Sequence, residues 1–305
     1  MRRSLPGGAG GFQWLCATVL LALLLATQTY AQAPESLKAR HAALAEQLSD
    51  NPFQRPLHLE SRQTEDTLQG DIYAVIEQPY AVVGPALQGI DRWCDILILH
   101  LNVKSCRASV PKAGDTLSLN IGRKFDRPLA DEYLFEFLYT VTVASPDYLQ
   151  VVLNAEEGPL GTSRYRVLLE VVALDAARSF LHLSYSYNYG TVARLAAQGY
   201  LATIGRHKVG FSIVNRKANG EPVYIRSVRG VIERNTMRYY LAIEAYLGAL
   251  STPAPQQVEK RLNDWYTGVA RYPLQLHELE RDEYLNMKRK EIRRQQTPGQ
   301  AAAIR

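Results

Sequence analysis

Residues 179–189, SFLHLSYSYNY, put Leu181, Leu183, Tyr185, Tyr187 and Tyr189 on one side of an extended chain and Phe180, His182, Ser184, Ser186 and Asn188 on the other. A period of two held over such a stretch is a β-strand with two chemically different faces. Residues 133–143, YLFEFLYTVTV, repeat the rule, with Tyr133, Phe135, Phe137, Tyr139, Val141 and Val143 on one apolar face. Residues 148–156 and 163–172 alternate between these two, and residues 116–121 precede them with Leu117, Leu119 and Ile121 aligned. Ser145-Pro146-Asp147, Gly158-Pro159 with Gly161, and Asp175-Ala176 supply the turns. Connections this short join antiparallel neighbours, so the region predicts a meander.

Upstream, residues 58–65 and 71–77 alternate again, with Ile72, Ala74 and Ile76 together and Gly70 read as the turn of a hairpin. Pro79-Tyr80 opens a helix with Val82, Val83, Ala86 and Leu87 as its stripe, ending at Gly89. Residues 93–99, WCDILIL, are apolar without a clear period, which predicts burial and leaves their class open. Residues 34–48 read as a short amphipathic helix, broken by Asn51-Pro52 and Arg55-Pro56. After Gly190 the period becomes helical, first over 191–206 and then from Val223 or Arg226 to Leu250. There Ile225, Val228, Ile232, Tyr239, Ile243, Tyr246 and Leu250 recur at three and four. Ser251-Thr252-Pro253 stops that helix, and charged helices follow at about 256–271 and 274–295.

Two strands, a helix, a run of meandering strands and a long amphipathic helix make an α+β order in which a sheet folds around a terminal helix. Over about residues 57–250 this resembles the helix-grip fold of the START and polyketide-cyclase-like superfamily. The segment Trp93 to Lys104 and the run Glu233-Arg234-Asn235-Thr236-Met237-Arg238-Tyr239-Tyr240 are similar to those of uncharacterised exported bacterial proteins of that kind. The resemblance implies a cavity between sheet and long helix, which the superfamily uses for lipids, sterols, polyketides and other apolar ligands. The candidate ligand-binding residues are Tyr139, Tyr185 and Tyr187 for apolar bulk with hydroxyls, His182 as a polar group, and Arg229, Glu233 and Asn235 for the head of a ligand entering beside the helix. The same patterns describe an ordinary filled core, a hydrogen-bonded or exposed His182, and a polar network pinning the helix to the sheet through an i, i+4 pair of Arg229 and Glu233.

The chain begins with Arg2 and Arg3, an apolar run from Trp14 to Ala26, and Ala31-Gln32-Ala33. That order predicts a cleavable export signal over residues 1–33, with an apolar run too short to span a bilayer. Its removal lowers the formal charge from +5 to +3 and puts the working protein in the periplasm or outside the cell. Lys288 to Arg305 hold six basic residues against Glu291, leaving residues 34–287 at −2, a balance that disfavours nucleic-acid binding. The basic run Lys288 to Arg294, KRKEIRR, can attract an anionic membrane surface or stand as a solvated helix end. Cys94 and Cys106 remain after processing, and in an oxidising compartment the pair predicts a disulfide, with two free thiols as the alternative.

No GxSxG, HExxH or phosphate-loop motif occurs, and no two histidines stand at metal-ligand spacing. The expected organisation is a signal (1–33), a helical arm (34–56), the START-like domain (57–250) and a charged helical extension (251–305). The expected function is exported, non-enzymatic binding of an apolar small molecule or lipid, with no cofactor and no metal. A cyclase- or hydrolase-type enzyme in the same cavity and a structural envelope protein acting through its terminal helices are the alternatives. Intact-mass measurement of the exported protein should place its first residue near Pro34; a mass that retains residues 1–33 would refute cleavage.

Overall fold

The computed structural model describes residues 33–109, 114–124, 128–203 and 205–296, so the expected signal lies outside the described residues but for Ala33. Eight strands form one antiparallel sheet: β1 (Leu57–Gln63), β2 (Thr67–Ile76), β3 (Val103–Ser109), β4 (Thr116–Ile121), β5 (Tyr133–Ala144), β6 (Tyr148–Glu157), β7 (Thr162–Ala173) and β8 (Ser179–Tyr189). Their spatial order is β1-β2-β8-β7-β6-β5-β4-β3. The meander β3 to β8 thus runs in chain order and closes back on the β1–β2 hairpin. Helix α6 (Ser227–Gly248) lies along the inner face of this sheet, the α+β helix-grip arrangement expected.

The remaining helices are α1 (33–43), α2 (Ala45–Ser49), α3 (Tyr80–Leu87), α4 (Ile90–Leu97), α5 (Thr191–Ala202), α7 (Ala254–Ala270), α8 (Pro273–Leu276) and α9 (Arg281–Gln296). The unclassified apolar stretch at 93–99 is therefore mostly α4, held to β3 by the Cys94–Cys106 disulfide with a Cα separation of 5.2 Å. A small ladder, β9 (Ile213–Arg216) with β10 (Pro222–Tyr224), occupies the start assigned to the long helix at Val223.

Alternation sorts the sheet into two buried faces. The inner face, including Leu181, Leu183, Leu169, Val171, Leu149 and Leu153, joins the main core with α3, α4 and α6. The outer face carries Tyr73, Tyr148, Val172 and Phe180, which α1 and α2 cover with Leu37, Leu44 and Leu48.

Gly70 is not the hairpin turn. It stands inside β2, in register with Ser61 of β1, and the chain reverses at Thr64 to Thr67. Its missing side chain is what lets α6 approach: a Cβ there would overlap Thr236 Oγ1 and lie 3.3 Å from Thr236 Cβ. The neighbouring Ser61 is engaged by the same face of α6. Ser61 Oγ donates to Glu233 Oε1 at 2.6 Å and accepts from Arg229 Nε at 3.1 Å. Residues 229, 233 and 236 are spaced so as to share one helix face, and that face rests on the Ser61–Gly70 rung.

The C-terminal helices contribute to the same core through Leu262, Trp265, Tyr284 and Leu285. Trp265 Nε1 donates to Arg238 O at 3.2 Å, fixing α7 on α6. Helix α9 packs on β3, the last strand of the sheet, and Gln295 Oε1 accepts the Cys106 backbone N–H at 3.0 Å. With the Val103 carbonyl also taken by Lys288, the first half of this edge strand is blocked to further pairing. Lys288, read in the sequence as part of a surface basic run, is 0 % exposed. It donates to Glu291 Oε2 at 2.8 Å and to the carbonyls of His100 and Val103, while Lys104 reaches Glu291 Oε1 at 3.0 Å.

Gly70→Ala should destabilise the protein by about 1–3 kcal/mol through overpacking, which exceeds the roughly 0.4–1 kcal/mol that Gly→Ala gains through the unfolded chain. The urea midpoint measures it, and adding Thr236→Ala should recover part of the loss; an unchanged midpoint for the single variant would contradict the close-approach account.

Candidate functional site

Because α6 lies closest to β2, with β1 and β8 next, the sheet on the β4–β7 side is left partly uncovered by the helix. A cavity of about 570 Å³ fills that space, within the 300–1,000 Å³ typical of small-molecule sites. Phe135, Tyr165, Tyr185 and Tyr187 form its sheet wall and Val228, Val231, Asn235 and Tyr239 its α6 wall. Helix α5 closes it with small residues, Ala193, Ala196 and Ala197, while Val192 and Leu195 on the same helix and Leu160 at the mouth are exposed. Toward Trp93 and Ile243 the space between sheet and helix narrows to a volume of about 30 Å³, an essentially packed core. The grip is therefore solid at one end and hollow at the other.

The hollow end is a connected aromatic wall. Tyr165 stacks on Tyr187 at 4.9 Å between centroids, Tyr185 meets Tyr239 edge-on at 5.4 Å, and Phe135 meets Tyr165 at 4.7 Å. Tyr165 donates to Thr162 Oγ1 at 2.8 Å, and burial pushes its hydroxyl up to about 12. Burial also raises the Tyr185, Tyr187 and Tyr239 hydroxyls, which keeps all of them protonated at neutral pH. Those three hydroxyls make no hydrogen bond to the described residues. A third wall comes from the turn after α4 and the end of β4, with His100, Asn102 and Arg123. Asn102 ties the two segments together, its Nδ2 donating to Gly122 O at 2.7 Å and its O accepting from Gly122 N at 2.8 Å.

Of the residues singled out in the sequence, Tyr185, Tyr187 and Asn235 line this cavity. Tyr139 faces the packed end, where its hydroxyl donates to Gln88 O at 2.7 Å and its ring meets Trp93. Arg229 and Glu233 belong to the polar network that pins α6, and each ends on Ser61 in place of the i, i+4 pairing expected between them. Glu233 also accepts from the Phe211 and Ser212 N–H groups at 2.6 and 2.9 Å, anchoring the strand leading into β9. His100, Asn102, Arg123, Tyr165 and Tyr239 went unassigned to the site in the sequence. Tyr239 was visible as part of the α6 stripe and Tyr165 by alternation in β7, whereas His100 lies in a turn with no period.

His182 projects from the other face of β8, beneath the N-terminal helices, into a separate polar cluster. Its Nδ1 is 2.7 Å from Glu170 Oε2 and its Nε2 is 3.0 Å from Asp71 Oδ1, and its ring stacks on Tyr73 at 4.3 Å. Burial opposes the imidazolium, but hydrogen bonds to Asp71 and Glu170 outweigh it and hold His182 above its usual 6.5. Burial likewise raises Glu170, and the hydrogen bonds from His182 and Tyr148 more than reverse this, holding it below its usual 4.5.

No family model and no curated protein matches the chain. Among solved structures it is similar to a norcoclaurine synthase from Thalictrum flavum at 13 % identity, over 47 % of this chain and 93 % of that one, with a TM-score of 0.33. An aromatase/cyclase from Streptomyces sp. R1128 aligns at 12 % identity over 49 % and 86 %, with a TM-score of 0.32. A START superfamily protein from Mycobacterium smegmatis aligns at 10 % identity over 46 % and 92 %, with a TM-score of 0.29. At these levels the fold rests on the strand order and on the seating of α6 described above.

The outer-face cluster has a definite pH signature. A raised His182 pKa contributes stability that is fully present below about 6.5 and lost as pH rises through the folded value, while the lowered Glu170 pKa contributes stability above about 4.5 that is lost on acidification. Urea midpoints should therefore fall from pH 6 toward alkaline pH, and His182→Gln should flatten that slope. Parallel slopes in the two proteins would exclude the assignment.

Proposed function

We propose that this chain is an exported binding protein for an apolar small molecule or lipid held between the sheet and α6. The observation that carries the reading is the hollow end of the grip: about 570 Å³ walled by aromatic rings whose Tyr185, Tyr187 and Tyr239 hydroxyls have no hydrogen-bond partner among the described residues. Aromatic walls supply apolar contact area, and a few hydroxyls orient a ligand within it. Binding is favoured over catalysis by the chemistry of the lining. Among the described residues lining the cavity there is no carboxylate, Tyr165, Tyr187 and Tyr239 are held protonated by burial, and the Nδ1 of His100 is occupied by the Asn102 N–H, so none of these offers a general base near neutral pH. Export is supported by the Cys94–Cys106 disulfide and by the signal pattern of residues 1–33.

Two measurements test the reading. Mass spectrometry of organic extracts from purified protein should reveal a co-purifying apolar compound, and the neutral fluorophore N-phenyl-1-naphthylamine should bind with blue-shifted, enhanced emission. Ala197→Trp, which projects an indole into the cavity from α5, should weaken that probe by about tenfold or more, equivalent to about 1.4 kcal/mol. Probe affinity unchanged by the substitution, together with empty extracts, would defeat the proposal.

A further inference from the structure

The wall opposite the tyrosines differs in chemistry from the rest of the cavity. His100 is 3 % exposed and stacks on Tyr239 at 4.7 Å. Its Nδ1 accepts the Asn102 backbone N–H at 3.2 Å, which assigns the proton of the neutral ring to Nε2. That Nε2–H is buried and has no hydrogen-bond partner among the described residues. Buried polar groups are ordinarily satisfied, and leaving a donor unmatched is costly, so an unmatched donor in a cavity wall marks the place for an external acceptor. The ring is kept neutral by burial and by the positive charges of Arg238, Lys288, Lys124 and Lys104 around it, which hold it well below its usual value. On the same wall, linked through the Asn102–Gly122 hydrogen bonds, Arg123 reaches the rim of the cavity and has no hydrogen-bond or ion-pair partner among the described residues. A donor that cannot become an acceptor and a guanidinium without a partner among the described residues face an apolar volume from this wall; the Glu132 carboxylate packs against Gly122 beside them and is not one of the residues lining the cavity.

We infer that the cavity takes an apolar monocarboxylic acid, with the tail against the tyrosine wall and the carboxylate received by His100 Nε2–H and the Arg123 guanidinium. This deepens the binding reading above and rests on it. Two charge-assisted hydrogen bonds of this kind favour an ionised acid over an alcohol of the same length. Asn235, whose Oδ1 is 3.5 Å from Arg238 Nη1, lines the cavity from α6 and supplies a further amide. The positive surroundings of His100 also set a sign: an amine of matched length is excluded for the reason that the acid is preferred.

Displacement of N-phenyl-1-naphthylamine from the full mature protein by laurate, 1-dodecanol and dodecylamine separates the possibilities. Laurate should compete about 10- to 100-fold better than dodecanol, and dodecylamine worst. Arg123→Gln, at an exposed position, and His100→Gln should each reduce the laurate-over-dodecanol preference toward unity, with thermal unfolding confirming that both variants are folded. Equal competition by laurate and dodecanol in the unsubstituted protein would overturn the acid assignment and leave the binding reading standing. Failure of the fluorophore to bind at all would overturn both.

Discussion

Helix α6 can rest on the sheet only where the sheet presents almost no side chain, and the Ser61–Gly70 rung is that place. Thr236 sits over the bare α-carbon of Gly70, and Glu233 and Arg229 close on Ser61 one turn and two turns earlier. Fixing the helix low over β1 and β2 determines what happens elsewhere. The stripe of Val228, Val231, Asn235 and Tyr239 is turned toward the uncovered strands, where the large aromatic residues of β5, β7 and β8 meet it across open space. A third side of the helix, through Arg238 and Leu241, is occupied by α7. The cavity is thus a consequence of where the helix is seated.

The C-terminal helices hold the polar wall from behind. Tyr284 of α9 donates to Leu99 O at 2.9 Å, and Lys288 donates to the carbonyls of His100 and Val103, so the turn after α4 and the start of β3 are gripped at three points by one helix. The cost of burying Lys104, Lys288 and Glu291 is offset only by their close pairing, and ion groups of this kind add specificity of placement more readily than net stability. Glu278 plays a related part nearby: burial disfavours its charge, yet Arg238, Lys124 and Lys208 hold its carboxyl down at about 2. The result is a positively charged backing to His100 that the ring itself does not relieve, because burial keeps it neutral.

The meander was legible because a period of two is a local property, and each of the four strands from β5 to β8 states it within its own residues. β3 was not, since Lys104, Ser105 and Arg107 break the apolar pattern that an edge strand under a helix does not need. Gly70 was read as a turn because glycine serves both a reversal and a close approach, and only the helix arriving from 166 residues later distinguishes them. In the site, alternation correctly sided Tyr185 and Tyr187, but it carries no information about position along the groove, and Tyr139 shares their parity while standing at the packed end. His182 is buried for a reason absent from its own strand: the N-terminal helices turn the outer face of β8 into a second interior. His100 depends on contacts from α6 and α9 as well as on its own turn, and no window of sequence around it contains them.

The Cys94–Cys106 disulfide acquires a further meaning from what lies between its ends. The closed loop contains the last turn of α4, His100, Asn102 and the start of β3, so part of the cavity wall belongs to a covalent ring. Such a ring limits how far its members can wander when nothing is bound, and less conformational entropy remains to be surrendered when a guest arrives. Reduced, the same residues would be retained by packing and hydrogen bonds alone. On the binding reading proposed above, oxidation of two sulfurs outside the cavity lining would sharpen the receptor for its guest and tie the competence of the wall to the redox state of its surroundings.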